Sequence, residues 1–596
     1  MTMEQRTFGW IQNPSSTDNL KKVVSLFVPQ SDFYKDMVDS KLPFLNQYGF
    51  LANNANNALY DEFLQALTQP AISYALLKGK GCGSGTRAGA KCSGLAQAAL
   101  VGQRFVTYTN NGKTLRCKKP YTDDWTADGF LRWAVSLGFL DYNYNDDSCS
   151  VTPLGKQFVL SVDNSQEEKD ILGTAYLSYP PVCRVLNILS DGQPHTKFEI
   201  GKQLGFTDEA GFTSIPQNIW VQAFEETQSQ EERTELRNNV EGSSDKYARM
   251  ICGWLVDIGW VKRTPKQVTE TFGIKQYTTT ITAAFSITAE GLKNNKRAIG
   301  TSKSPRVPKI VYKEMLASKA SDANLLRIRR AYIIKYIGGT TKHTLEQIAE
   351  YLKNNGIFSN TITIKDDIQG FINIGLNIQE QMGLYHLSDK ILKLYIPAQR
   401  NITEQQTEQS VIKERVRARL NYIDHKYLTL IDYSFQGKDS KEFEIFTIDL
   451  FTNELQFVGK HLGGTRKPDG IISYNDRGVI IDNKAYSQGF NITRSMADEM
   501  IRYVQENIER REERNPNKWW ESFPVETATF SFLFISSLFR GDINHMLNNI
   551  KESTGGTNGA VLNSENLLYF ADAIKGGTLS QTDFLNRLVC NTEVIY

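Results

Sequence analysis

Apolar and polar positions repeat along this chain with two different periods, and the changes of period mark its elements. Through the first two thirds one pattern recurs three times. Apolar residues at helical spacing run into a glycine, then come a strand-like run, a polar turn, a second strand and the start of another helix. The copies are FLRWAVSLGFLDYNYNDDSCSVTPLGKQFV, YARMICGWLVDIGWVKRTPKQ continuing to FSITAEGLKNN, and DIQGFINIGLNIQEQMGLYHLSDKILKL. Each predicts helix, hairpin, helix, the layout of a winged helix, in which one helix approaches a DNA groove and the hairpin lies beside it. KFEIGKQLGF and TLEQIAEYLKNNGIF, upstream of the second and third copies, read as the first helices of such units. The pattern alone fits equally well a helix-hairpin packing unit that never meets DNA.

Hydrophobic periodicity fades in IPAQRNITEQQTEQSVIKER, which gains Gln, Thr and Glu and reads as a solvated linker. Beyond it a helix (KEFEIFTIDLFTNEL), a glycine-rich turn, apolar strands (GVIIDNKAY and FSFLFISS) and further helices predict a compact α/β domain. The expected architecture is multidomain and mainly α at first. Winged-helix-like subdomains cover 1–165 and 166–302, expected to recognise DNA, and 303–395, expected to serve docking and regulation; a linker covers 396–408, and the α/β domain covers 409–596.

Bulk properties narrow this picture without deciding it. At 596 residues the chain exceeds what one core serves, which is about 250 to 300 residues. No apolar run reaches the ~18 residues of a membrane span, and MTMEQRTFGW lacks the features of a signal peptide, so a soluble cytoplasmic protein with no membrane partner is expected. Seven cysteines, scattered without a CxxC pair, fit reduced thiols. A formal charge of +2 is too near neutral to diagnose a nucleic-acid partner.

The chemistry concentrates in KPDGIISYNDRGVIIDNKAY. Asp469 opens one strand, and Asp482 and Lys484 lie in the next, after the apolar run Val479, Ile480 and Ile481. Alternation along a strand sends Asp482 and Lys484 to one face and Asn483 to the other. Two carboxylates about 4 Å apart repel by roughly 4 kcal/mol at an effective dielectric of about 20, a cost that a divalent cation offsets. Oxygen ligands favour Mg²⁺, and a Mg²⁺ beside a lysine suits phosphodiester hydrolysis, with products carrying 5′ phosphates. Glu444 shares a helical face with Ile448, Phe451 and Leu455, which turns a carboxylate toward the interior as a candidate outer ligand or water-holder. Taken alone, Asp before Gly is also a common turn, and Asp-x-Lys is more often a surface salt pair. Together with Pro-Asp and an interior Glu, the triplet matches the PD(D/E)xK nuclease signature.

At these residues the chain resembles the FokI-like type IIS restriction endonucleases, over nearly its whole length. KHLGGTRKPDG, IIDNKAYSQGFN, ADEMIRYVQEN and NPNKWW are similar to the cleavage domain of that family, whose catalytic Asp, Asp and Lys fall on Asp469, Asp482 and Lys484. Asn483 stands where the family has Thr, on the face turned away from the metal. RTFGWIQNP, DGFLRWAVSLGF, GFTSIP and RNNVEGSSDKYARM are similar to the recognition half. The resemblance implies base contacts by Gln12, Asn13, Asn238, Glu241 and Lys246, with Arg87 and Trp125 in matching places. Asn and Gln suit adenine, Lys suits guanine and Glu suits cytosine. Read locally, Asn13 before Pro14 starts a turn, and Ser243 to Asp245 cap the next helix. The implied double-stranded DNA target is GGATG or a close relative, because TRAGAKCSG around Arg87 lacks the acidic residue and proline of the family.

One catalytic centre faces two scissile phosphates on antiparallel strands, so two cleavage domains are expected to meet. Asp498 and Arg502, four apart on one helix, can pair twice across a two-fold axis, as the resemblance implies, or can pair within their own helix. The resemblance also implies a bacterial host and a companion DNA methyltransferase as a separate protein. Two other classes share these features: a DNA-binding regulator with a vestigial nuclease domain, and a nicking or relaxed-specificity nuclease. The intact Asp469, Asp482 and Lys484 argue against the first, and Asp498 with Arg502 against the second.

Overall fold

In the computed structural model the described residues are 8–11, 16–47, 49–51, 58–80, 91–101, 105–110, 113–118, 122–204, 216–238, 243–272, 275–317, 323–394, 408–437 and 441–596. They fall into two compact units, one within 4–343 and 368–398, the other within 344–367 and 399–596. Of the expected linker 396–408, residues 396–407 lie outside the described residues, and position 408 opens helix Glu408–Arg419.

In the first unit, two copies of the repeated pattern form the expected elements. Helix Asp124–Ser136 runs to a bend at Gly138 (φ +73°), strands Leu140–Asn143 and Ser148–Val151 pair antiparallel, and helix Pro153–Leu160 follows. Helix Ser243–Asp257 runs to Gly259 (φ +79°), strand Val261–Arg263 pairs antiparallel with Ala284–Ile287, and helix Ala289–Ile299 follows. A separate hairpin, Lys266–Phe272 with Lys275–Ile281, is inserted between those two strands. Left-handed backbone at each bend suits glycine, which has no Cβ to clash there.

The two copies share a lock that periodicity does not reveal. Thr152 and Thr288 cap the second helix of each copy. Their hydroxyls accept the backbone N–H of Gly155 (3.0 Å) and Gly291 (3.1 Å) and donate to the carbonyls of Gly138 (2.6 Å) and Gly259 (2.9 Å). A Cβ on Gly155 or Gly291 would collide with the carbonyl oxygen of the residue after the bend, Phe139 or Trp260. Trp133 and Trp254 each stand five residues before the bend glycine of their copy. Both are buried and stack with centroids 4.6 Å apart, so the copies meet through the same side chain.

The third copy departs from the expected helix, hairpin, helix. Helix Thr361–Asn373, a bend at Gly375 (φ +104°) and antiparallel strands Ile378–Gln381 and Leu384–Leu387 are present. The next segment, Ile391–Leu394, is a strand rather than a helix, and it pairs parallel with Lys309–Val311. Ser388-Asp389-Lys390 lacks the Thr-x-x-Gly cap of the other copies, and Asp389 accepts the Asn377 N–H (2.8 Å) instead.

In the second unit, α1 (Lys441–Asp449) precedes a five-stranded sheet. The strands lie in the order β1 (Val458–His461), β2 (Gly470–Tyr474), β3 (Arg477–Lys484), β4 (Thr529–Ser536), β5 (Gly559–Asn563). The first three are antiparallel and the last three parallel. Helix α2 (Arg494–Glu509) joins β3 to β4, α3 (Ile543–Ser553) joins β4 to β5, and α4 (Ser564–Lys575) follows. Val479 and Ile481 pack in a core with Phe443 and Phe446 of α1 and Leu568 of α4. Ile480 packs in another with Met500 and Val504 of α2 and Leu547 of α3. Burial on both faces explains the unbroken apolar run of β3. Among the described residues, Cys92, Cys149, Cys183, Cys252 and Cys590 are free thiols, and no helix is long and apolar enough to cross a membrane.

Candidate active site

The site forms where β3 runs out of apolar residues. Asp482 and Lys484, two apart on the strand, share a face, and Lys484 Nζ lies 2.9 Å from Asp482 Oδ1. Asn483 points the other way and donates its amide to Thr447 Oγ1 on α1 (2.8 Å). The pairing of Gly470 with Ile481 brings Asp469, just ahead of β2, to the same end of the sheet, where its Oδ2 accepts the Asn483 backbone N–H (2.6 Å).

Electrostatics mark this cluster as incomplete by itself. Burial, followed by repulsion from Asp482 and Glu444, holds the Asp469 carboxyl well above the usual carboxylate range. Burial also raises Asp482, against the pull of Lys484. For Lys484 burial acts to lower the pKa, but Asp482, Asp469 and Glu499 outweigh it, so the ammonium form is favoured. Asp482 Oδ2 is buried and, among the described residues, meets no nitrogen or hydroxyl donor; what lies beside it is the Asp469 carboxyl. Such a pair is relieved by sharing a proton or by taking up a cation, and an orphaned carboxylate oxygen suits a hard divalent ion.

Glu444 is buried on α1, and Ile448, Phe451 and Leu455 on its face are buried as their spacing predicts. Its Oε2 lies 2.9 Å from His461 Nε2 on β1, a partner the sequence reading did not single out. The other residue it missed is Glu499 on α2, whose Oε2 lies 3.9 Å from Lys484 Nζ. Asp498 is exposed and forms no ion pair among the described residues, whereas Arg502 pairs with Glu499 (3.5 Å) and Glu506 (4.0 Å). The intrahelical Asp498–Arg502 pair considered as an alternative is therefore not the contact that forms.

The residues expected to touch DNA are placed unevenly. Trp125, in the first turn of helix Asp124–Ser136, is 51% exposed, and Lys246, in the first turn of helix Ser243–Asp257, is half-buried. Asn238 ends helix Gln230–Asn238, with its side chain outside the described set. Gln12, Asn13, Arg87 and Glu241 lie outside the described residues.

Family profiles cover most of the chain. The profile for the FokI recognition domain, subdomain 1, matches residues 6–161, that for subdomain 2 matches 168–302, that for the FokI D3 domain matches 316–383, and that for the FokI cleavage domain matches 406–595. Type II restriction enzyme FokI of Planomicrobium okeanokoites is 40% identical over 601 aligned residues, covering 100% of both chains. The chain belongs to the FokI family of type II restriction enzymes. Type II restriction enzyme StsI of Streptococcus sanguinis is 30% identical, over 97% of this chain and 94% of its own. The solved structure of restriction endonuclease FokI superposes with a TM-score of 0.68 at 38% identity, covering 99% of this chain and 100% of that one. The structure of FokI bound to DNA gives 0.67, also at 38% identity, covering 100% of both chains. As a FokI-family member the protein is a site-specific deoxyribonuclease, with FokI-like recognition domains ahead of a cleavage domain. Restriction endonucleases generally depend on a divalent metal, which the carboxylate pair Asp469 and Asp482 fits.

Proposed function

We propose that this FokI-family enzyme is a type IIS endonuclease. It reads a short asymmetric duplex site, GGATG or a close relative, through two winged-helix-like subdomains, 1–165 and 166–302, with 303–395 as a docking and regulatory subdomain, and hydrolyses both strands at a fixed distance outside that site. The observation that carries the reading is the convergence of Asp469, Asp482 and Lys484 at one end of β3, with Asp482 Oδ2 buried and lacking a nitrogen or hydroxyl donor among the described residues. Asp469 and Asp482 are the residues to hold Mg²⁺, and Glu444 beside His461 is placed to hold water at the edge of the PD(D/E)xK site. When bound, Mg²⁺ supplies a Lewis acid for charge on the phosphate and on the departing 3′ oxygen. Lys484, as an ammonium, donates to the attacking water or a phosphate oxygen and so orients the one and neutralises the other. The products carry 5′ phosphates.

Recognition falls to Gln12, Asn13, Arg87, Trp125, Asn238, Glu241 and Lys246, with the subdomain boundaries expected from the sequence. A transient dimer through Asp498 and Arg502 brings a second centre to the other strand. A separate methyltransferase protects the host DNA, and both proteins work in the bacterial cytoplasm. Incubating the protein with a sequenced plasmid in Mg²⁺ and in EDTA, then mapping every cut end, tests this. Discrete cuts at a constant offset from a shared asymmetric motif, in Mg²⁺ only, are expected. An intact plasmid in Mg²⁺, with specific binding retained, overturns it.

A further inference from the structure

The Lys484 ammonium has three hydrogens to place, and the hydrolysis proposed above requires one of them to face the water or phosphate. One is taken by Asp482 Oδ1 at 2.9 Å. A second carboxylate, Glu499 on α2, lies on the same nitrogen as an ion pair, with Oε2 at 3.9 Å. The charge of Glu499 reaches both Asp482 and Lys484, so it belongs to the electrostatics of the centre although it comes from a helix, not the sheet.

Glu499 is itself held. The Tyr503 hydroxyl, one turn further along α2, donates to Oε1 at 2.9 Å, and the Arg502 guanidinium lies 3.5 Å from that oxygen. Arg502 also lies 4.0 Å from Glu506, which is buried and accepts from the Trp519 indole and the Asn515 amide, both at 2.9 Å. Oε1 is thus occupied by bracing groups, while Oε2 faces the lysine. Met500 and Val504 of the same helix are packed in the core beside Ile480, which fixes the height of α2 over β3.

We propose that Glu499, braced by Tyr503 and Arg502, is a positioning residue for Lys484, forming with Asp482 a two-carboxylate clamp that aims the third ammonium hydrogen at the reacting phosphate. This rests on the hydrolytic role given to Lys484 above. Asp482 alone fixes one ammonium hydrogen at 2.9 Å, and the Glu499 charge, 3.9 Å from the same nitrogen, draws a second toward α2 and so limits rotation about the Cε–Nζ bond. Misaiming a catalytic group by about 1 Å costs up to about 100-fold in rate.

The test uses the full-length protein and a plasmid that the wild type cuts, with enzyme in excess so that one round of cleavage is read. Glu499→Gln is expected to slow the cleavage step by about 10- to 100-fold, with DNA binding in EDTA and the melting temperature unchanged. Glu499→Asp, which keeps the charge but shortens the reach, should recover part of the rate. Tyr503→Phe should slow cleavage by a few-fold alone and by nothing more when added to Glu499→Gln, since the brace matters only through the carboxylate it holds. Wild-type rates in Glu499→Gln, or additive losses in the double variant, overturn the inference. Lys484→Ala separates the two levels: if it is inactive while Glu499→Gln cleaves normally, only the clamp falls, and if it cleaves normally the hydrolytic role of Lys484 falls with it.

Discussion

In the cleavage unit the reacting side chains converge at one end of the central strand of a sheet, whereas in the recognition unit, of those expected to meet DNA, the described Trp125 and Lys246 sit on first helical turns of a repeated scaffold and Asn238 ends a helix. The two arrangements solve different problems. Hydrolysis needs a carboxylate pair held against its own repulsion, and only a strand packed on both faces, as β3 is by Ile480 on one side and Val479 with Ile481 on the other, holds Asp482 with an unsatisfied oxygen. Reading bases needs side chains that reach outward, so the scaffold behind them can repeat. The Thr152–Gly155 and Thr288–Gly291 locks and the Trp133–Trp254 stack are such a repeat. Chemistry and scaffold coincide in one unit and are separable in the other.

That separation can be broken from either side. The largest expected effect is on the strand. Asp469→Ala or Lys484→Ala should lower cleavage by about 10³-fold or more, since each removes a group with no substitute nearby, while binding to the target in EDTA stays within a few-fold. Measuring both on one DNA decides it, and loss of binding together with cleavage would show that the units do not divide the work as described. Next comes the scaffold. Trp254→Ala removes half of the stack and should destabilise the recognition unit by about 3 to 5 kcal/mol, read as an earlier unfolding transition in denaturant. Binding should fail at temperatures where the cleavage unit, followed by its own tryptophan signal from Trp519 and Trp520, remains folded. A loss under about 1 kcal/mol would mean that the two copies do not depend on each other's packing.

How much of this could be read in advance depends on whether a residue's partners are close in sequence or set by packing. Asp482 and Lys484 were legible because polar residues interrupt an apolar strand and alternate on one face, and Glu444 because its helical spacing points inward. Glu499 was not, because its partner lies on another element and nothing in ADEMIRYVQEN says which acid faces the sheet. For Arg502 the sequence offers Asp498, Glu499 and Glu506, all at helical spacing. The choice is made by Tyr503, Trp519 and Asn515, which anchor the two glutamates. Ile391 to Leu394 illustrates the other limit: four residues suit strand and helix alike, and only pairing with Lys309–Val311 settles them as a strand. The Trp133–Trp254 stack joins residues far apart in the chain, and no local pattern announces it.

The smallest predicted effect tests the claim that the catalytic strand stores repulsion. Burial and the neighbouring carboxylates raise the Asp469 pKa well above the usual range, and burial raises that of Asp482 as well. From about pH 4, where unfolded carboxylates ionise, up to the raised folded value, the folded protein keeps a proton that the unfolded chain has released. Stability without metal must therefore fall as pH rises through that interval, the reverse of the usual salt-bridged carboxylate. Asp469→Asn removes one of the repelling charges. In EDTA at about pH 8 it should melt higher than the wild type, by roughly 0.5 to 2 kcal/mol, or about 2 to 4 °C per kcal/mol in a unit of this size, and the gap should close toward acid pH. Adding Mg²⁺ should raise the wild-type melting temperature and leave the variant nearly unmoved, since the gain from a ligand depends on the site that binds it. A wild-type melting temperature in EDTA that stays level from about pH 5 to pH 9 would show that the carboxylates carry no strain. The buried Asp482 oxygen would then have to be satisfied within the protein, and the contrast between the two units would rest on position alone.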